Sequence, residues 1–240
     1  MKNTVKKIIG VNANESIRNE WLTKTLKSIP SGLKILDAGA GELKNKSLCS
    51  HLEYVSQDLC QYDGKGDLRG LQVGSWDTKK IDIVCDITNI PSPDASFDVI
   101  LCSEVFEHLP DAVKALEEFS RLIKDGGVII ITAPFASLVH FAPFHYSSGF
   151  SRYWYEFHLP KYGFEILELS PNGDWFSFER QELLRLPSMA RQYGDWCWPL
   201  AYLTAGFGLI YFLLRGKSLA AQDIASLGWH CVAVKSSRHG

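Results

Sequence analysis

The sequence predicts an α/β fold: a doubly wound, mostly parallel, seven-stranded sheet with a helical insertion before its last strand. Three observations carry that reading. Short apolar β runs alternate with segments of helical periodicity, the order that builds a parallel sheet covered on both faces. The first run, Lys34-Ile35-Leu36-Asp37-Ala38, breaks into a loop containing Gly39 and Gly41. Three successive runs end in an acid, namely Asp37, Asp58 and Asp86. The carboxyl ends of parallel strands share one edge, so these acids converge on one crevice.

Taken in order, Ile17, Trp21, Leu22, Thr25 and Leu26 recur at helical spacing over 14–28, with Asn14 or Ser16 as N-cap and Pro30-Ser31-Gly32 as the stop. Strands are expected at 34–38, 53–57, 81–85 and 97–102. A helix over 111–123 places Val113, Leu116, Phe119, Leu122 and Ile123 on one face and ends at Asp125-Gly126-Gly127. Val128 to Thr132 is a continuous β-branched run, as suits a strand covered on both faces. The aromatic-rich stretch that follows, from Phe135 to His158, lies over the same edge as the acids. Its first half reads as a lid, and 151–162 as a helix turning Tyr155, Leu159 and Tyr162 inward.

Strands six and seven are expected at 164–169 and 229–234, with about sixty residues between them. Loops of that length carry structure of their own. Trp196 to Leu214 contains no charge. A helix over 200–214 would be about 22 Å long, short of the roughly 30 Å of a bilayer core. The stretch 196–215 is therefore read as a peripheral membrane contact or a dimer face, not a span. The chain 1–240 reads as a single domain. Residues 1–32 form an N-terminal helical cover, 33–170 and 228–236 the sheet core, and 171–227 an apolar helical insertion.

Composition narrows the function. Hydrophobic residues make up 46% and charged residues 22%, which excludes a disordered chain. A net charge of −2 gives no electrostatic footprint for nucleic acid. The six cysteines are scattered without C-x-x-C spacing, as in a reduced protein with neither zinc site nor disulfide framework. The apolar run Ile8 to Val11 is too short for a signal peptide. Together these give a cytoplasmic protein, with membrane association through 196–215 as the alternative to a dimer face there.

The glycine loop and the acids specify an adenosine ligand. Glycine lets a backbone turn sharply and approach a ligand closely. Asp58 follows the loop by about twenty residues, the offset at which a carboxylate accepts both hydroxyls of a ribose. A dinucleotide site requires G-x-G-x-x-G, and here Lys44 holds the last position. Glu42 would also repel a pyrophosphate at the helix start. A cationic sulfonium with an amino-acid tail has the opposite preference, which points to S-adenosyl-L-methionine.

These pieces resemble the class I S-adenosylmethionine-dependent methyltransferases of the small-molecule, type 11-like branch. The resemblance rests on Ile35-Leu36-Asp37-Ala38-Gly39-Ala40-Gly41, Asp58, Asp86-Ile87 with Ile90-Pro91, and Ser96-Phe97-Asp98-Val99-Ile100. It continues through Ser103-Glu104-Val105-Phe106-Glu107-His108-Leu109 and Leu122-Ile123-Lys124-Asp125-Gly126-Gly127. Leu43 stands where the family often has a third glycine. The resemblance implies a Rossmann-like fold and cofactor contacts from Asp37, Gly39, Gly41, Asp58, Leu59, Asp86, Ile87, Ser103 and Glu104. Gly39 and Gly41 would face the methionine part, Asp58 the ribose, Leu59, Asp86 and Ile87 the adenine, and Ser103 and Glu104 the sulfonium. It also implies a small-molecule acceptor, such as a sugar or glycan precursor, a quinone or a lipid-like compound. The alternatives are a catalytically silent cofactor-binding module and a nucleic-acid methyltransferase. Against the latter, Ser103-Glu104-Val105-Phe106 stands where such enzymes carry Asp/Asn-Pro-Pro-aromatic. His108, after the fourth strand, and His145 are the candidate general bases. His140 and His145 have no cysteine or acid cluster beside them in sequence, so no metal site is expected.

Overall fold

A computed structural model describes residues 13–215, 221, 222 and 224–236. They divide into two compact units, one holding residues up to Glu20 with Pro171–Leu227, the other Trp21–Ser170 with the segment from Gly228.

The larger unit is the sheet. Its strands are β1 (Lys34–Ala38), β2 (Glu53–Asp58), β3 (Ile83–Val84), β4 (Phe97–Ser103), β5 (Ile123–Pro134), β6 (Phe164–Asn172) and β7 (Gly228–Lys235), in the order β3-β2-β1-β4-β5-β7-β6. Strands β3 through β5 run parallel, and β7 pairs antiparallel with β5. The order reverses at β1, which lies between β2 and β4. The crevice beyond the carboxyl ends of those strands is where open α/β sheets bind ligands.

The period-2 alternation of the strands divides their side chains between two buried clusters. Leu36, Ile100, Cys102, Ile129 and Ile131 pack on one face with Leu116 and Phe119 of helix α2 (Ala112–Leu122) and with Tyr155 and Leu159 of helix α3 (Arg152–Lys161). Ile35, Val99, Leu101 and Ile130 pack on the other with Leu22 and Leu26 of helix α1 (Ala13–Lys27). Asp111 caps α2 by accepting the N–H groups of Val113 and Lys114. Within α2, Glu118 is buried, accepts the Ile90 N–H at 2.7 Å and is held by Arg121. That fixes the turn leading away from Asp86 and Ile87.

Two strands differ from expectation. Strand β3 covers two residues rather than five, because the Asp82 side chain instead of a ladder carbonyl takes the Ser56 N–H and Oγ. Strand β5 begins at Ile123, immediately after α2, and absorbs Asp125-Gly126-Gly127 as an irregularity opposite Phe97 to Val99.

In the smaller unit, helices α4 (Trp175–Gln192) and α5 (Trp198–Leu214) fill the expected insertion. Asp174 caps α4 by accepting the Ser177 N–H. Gly208 of α5 lies so close to α4 that an added Cβ would meet the Leu183 side chain at 2.3 Å. The large apolar residues of α5 point outward, with Phe207 73% and Leu214 81% exposed. Among the described residues no helix is long and apolar enough to cross a membrane.

Candidate active site

The crevice beyond β1, β2 and β4 is a cavity of about 430 Å³, entirely within the larger unit. The glycine loop forms its floor. Gly39 and Ala40 donate to the Gln57 carbonyl at 2.8 and 2.9 Å, and Gly41 donates to Asp58 Oδ2 at 2.9 Å. Gly39 has a φ of +77°, and a Cβ there would meet Val105 Cγ2 at 2.5 Å. Gly126 has nearly the same φ, +74°, with nothing within 4 Å. The left-handed penalty of about 1–2 kcal/mol thus applies to alanine at both positions, and the close contact only at Gly39. Gly39→Ala should lower the chemical-denaturation stability by about 1–2 kcal/mol more than Gly126→Ala. Adding Val105→Ala should recover part of that difference, and equal losses in the two single variants would contradict the contact.

Along the wall, Asp58 Oδ1 also accepts the Cys60 N–H at 2.8 Å. Asp86 Oδ1 accepts the N–H and hydroxyl of Thr88. Leu59 and Ile87 supply apolar lining beside these acids. Glu104 sits at φ +57°, a strained conformation for a residue with a Cβ. Its N–H donates to the Thr132 carbonyl and its carboxylate accepts from Thr132 Oγ1 at 3.0 Å, so one residue of β5 holds the strained backbone in place.

Of the residues expected at the cofactor, Gly39, Gly41, Asp58, Leu59, Asp86, Ile87 and Glu104 line the cavity, while Asp37 and Ser103 do not. Asp37 is fully buried and accepts the Tyr54 hydroxyl at 2.6 Å; burial pushes its pKa up to about 6. Ser103 lies behind Glu104, with its hydroxyl 2.8 Å from Thr132 Oγ1. Since Thr132 gives its proton to Glu104, Ser103 is the donor in that pair. Both residues position the wall.

His108 lines the cavity and His145 does not. The His108 Nδ1 lies 2.6 Å from the Phe144 carbonyl, which can only accept, so Nδ1 carries the proton. Burial, followed by the neighbouring His140, lowers the His108 pKa to about 4. The ring is neutral at pH 7 and a weak proton acceptor there. Burial lowers the His145 pKa as well, and neither of its ring nitrogens has a hydrogen-bond partner.

Sequence reasoning missed Gln57 and most of the roof. Gln57 is buried, receives the Gly39 N–H on its side-chain oxygen and donates to the Cys85 carbonyl. It thereby ties three strand ends together. An amide at the end of β2 was the available signal, overlooked beside the carboxylate that follows it. The roof joins the segments 60–80 and 135–147. Leu71 donates to the Val139 carbonyl, Phe141 to the Leu71 carbonyl and Asp67 to the Ala142 carbonyl. The Tyr62 and Phe141 rings stack at 4.5 Å, with Trp76 edge-on to both. Phe141, Phe144 and Tyr146 line the cavity, as a lid requires, and Tyr155 and Leu159 are buried in α3 as expected.

Residues 36–131 match the model of a methyltransferase domain family. A ubiquinone biosynthesis O-methyltransferase from Leptothrix cholodnii is 28% identical over 119 residues, covering 48% of this chain and 50% of that protein. A protein from Mycolicibacterium smegmatis described as a probable S-adenosylmethionine-dependent methyltransferase is 34% identical over 124 residues, covering 49% of this chain and 44% of its own. The chain thus spans about half the length of the curated relatives it matches. Among solved structures, the [4+2]-cyclase SpnF superposes with a TM-score of 0.55 at 16% identity, over 92% of this chain and 80% of its own. A phosphoethanolamine N-methyltransferase 2 from Haemonchus contortus, in complex with S-adenosyl-L-methionine, gives 0.52 at 18% identity, over 96% and 57%. At these identities the likeness is one of fold.

Proposed function

We propose, from the match of residues 36–131 to a methyltransferase domain family and the likeness to methyltransferase relatives, that the chain is a class I S-adenosylmethionine-dependent methyltransferase of the type 11 branch and methylates an oxygen of a small hydroxylated acceptor. One observation carries the cofactor half. Asp58 presents a carboxylate to the cavity while both its oxygens already hold backbone N–H groups, Gly41 on one and Cys60 on the other. A carboxylate accepts about four hydrogen bonds, so capacity remains for a ribose diol. The rest of the lining fits the same ligand. Leu59 and Ile87 offer apolar surface to an adenine, Asp86 an acceptor for its amine, and Glu104 a negative charge for a sulfonium or ammonium.

S-adenosylmethionine supplies an electrophilic methyl group when bound. The protein's own part is alignment and exclusion of water. The glycine loop leaves the floor open, the Glu104 carboxylate is fixed by Thr132, and the roof of Tyr62, Trp76 and Phe141 shields the cavity. With His108 neutral, a hydroxyl that already ionises readily, such as a phenol, is the acceptor best matched to this pocket. The name carried by the Leptothrix relative supports an oxygen acceptor.

The test is transfer from a methyl-labelled donor to phenolic, sugar and lipophilic hydroxyl acceptors, with calorimetry of S-adenosylhomocysteine run beside it. Label is expected in a phenolic product. Cofactor binding with no transfer to any acceptor would reduce the protein to a binding module, and no cofactor binding would defeat the reading entirely.

A further inference from the structure

We propose that His108, His140 and His145, with Glu107, form a binding site for a divalent transition-metal ion at the acceptor side of the cavity. One ring nitrogen from each of the three histidines lies within 4.8 Å of the other two. Two of the rings are pre-set for coordination. His108 Nδ1 donates to the Phe144 carbonyl, and His140 Nδ1 lies 2.9 Å from the Leu138 carbonyl and donates to it. In a neutral imidazole the other nitrogen is then a bare lone pair. An N–H anchored on a backbone carbonyl is the arrangement that fixes the tautomer and aim of a metal-bound histidine.

Both bare Nε2 atoms face the same carboxylate oxygen. Glu107 Oε1 lies 3.7 Å from His108 Nε2 and 3.9 Å from His140 Nε2, and Glu107 is only 1% exposed. Two imidazole nitrogens and a carboxylate oxygen thus face one another in a largely buried place, a donor set that a cation can bridge. His145 completes the set. Both of its ring nitrogens are buried without a hydrogen bond, and its ring centroid is 5.0 Å from that of His140. Leaving a polar ring so is costly unless something binds it.

The donor set selects the ion. Imidazole nitrogens with one carboxylate suit zinc, cobalt, iron or nickel better than magnesium or calcium. Ligand atoms around tetrahedral zinc are about 3.3 Å apart for bonds of ~2.0–2.1 Å, so the three histidine nitrogens close by about 1.5 Å at their widest when an ion enters. The absence of a neighbouring acid argued against a metal in the sequence. The fold supplies that acid from 33 residues before His140. The site does not depend on the methyl-transfer reading.

Equilibrium dialysis of the chelator-stripped protein against Zn²⁺ should give one ion per chain. Co²⁺ in its place should give the visible absorption of an imidazole-bound, low-symmetry ion. His145→Ala and His140→Ala should each weaken Zn²⁺ at least 30-fold, whereas His158→Ala, a histidine outside the cluster, should leave it unchanged. Circular dichroism checks that the variants are folded, and the Co²⁺ spectrum of the unaltered protein needs no variant. Failure of the unaltered protein to hold one Zn²⁺ or Co²⁺ per chain overturns the proposal, as does undiminished affinity in the folded His140→Ala, His145→Ala double variant.

Discussion

Asp58→Ala is expected to weaken S-adenosylhomocysteine binding about 100-fold, a loss of about 2.7 kcal/mol. The magnitude has two sources. Hydrogen bonds from hydroxyls to a carboxylate are charge-assisted and worth about 1.5–3 kcal/mol each. The same carboxylate also holds the Gly41 and Cys60 N–H groups, so its removal loosens the floor of the cavity as well as the proposed ribose contact. Asp58→Asn should recover little, because the amide nitrogen would place donors against one of those two N–H groups. Calorimetry of the three proteins decides the matter, with NAD as a ligand expected to bind none of them. Unchanged binding by Asp58→Ala would remove the carboxylate from the site.

The second large effect is on stability and its dependence on pH. Asp37 is fully buried and its pKa is about 6, against 3.8 for an ordinary aspartate; burial is the main cause, opposed by the Tyr54 hydroxyl. The folded protein therefore holds this proton more tightly than the unfolded chain does. That contribution favours the fold below about pH 4 and is lost as pH rises through 6. By pH 7 the fold carries the cost of a buried charge, about 3 kcal/mol for a shift of about two units. Asp37→Asn has no charge to bury and still offers the Tyr54 hydroxyl an acceptor oxygen. Urea denaturation should show the variant gaining on the parent between pH 4.5 and pH 7, by about 2 kcal/mol. A parallel pH dependence in the two proteins would mean that Asp37 titrates normally.

The contrast between Asp37 and Asp58 marks where sequence reading stopped. Both are acids at or near strand ends, and the alternation that places them is visible in the sequence. Which of them reaches the cavity is not, because it depends on Tyr54 of the neighbouring strand covering one and not the other. The sheet itself was legible because period-2 apolar runs, turn glycines and β-branched stretches are local signals. The roof was not, since Tyr62 and Phe141 meet across almost eighty residues and neither segment has a repeating pattern. The histidine cluster failed for the same reason. His140 and His145 lack a companion acid nearby in sequence, and Glu107 reaches His140 only through the 3₁₀ turn Phe106–His108 after β4.

The position of β7 between β5 and β6 has a consequence for how the chain is made. Strand β5 leaves the ribosome about ninety residues before the strand that pairs with its far edge. At 5–20 residues per second, that edge waits roughly 5–20 s for its partner. It belongs to a long, apolar, β-branched strand, the kind of open ladder that pairs with other chains. The newborn protein therefore passes through an interval when its central sheet is formed but unsealed, and yield in the cell should depend on chaperone supply during synthesis more than on the stability of the finished fold.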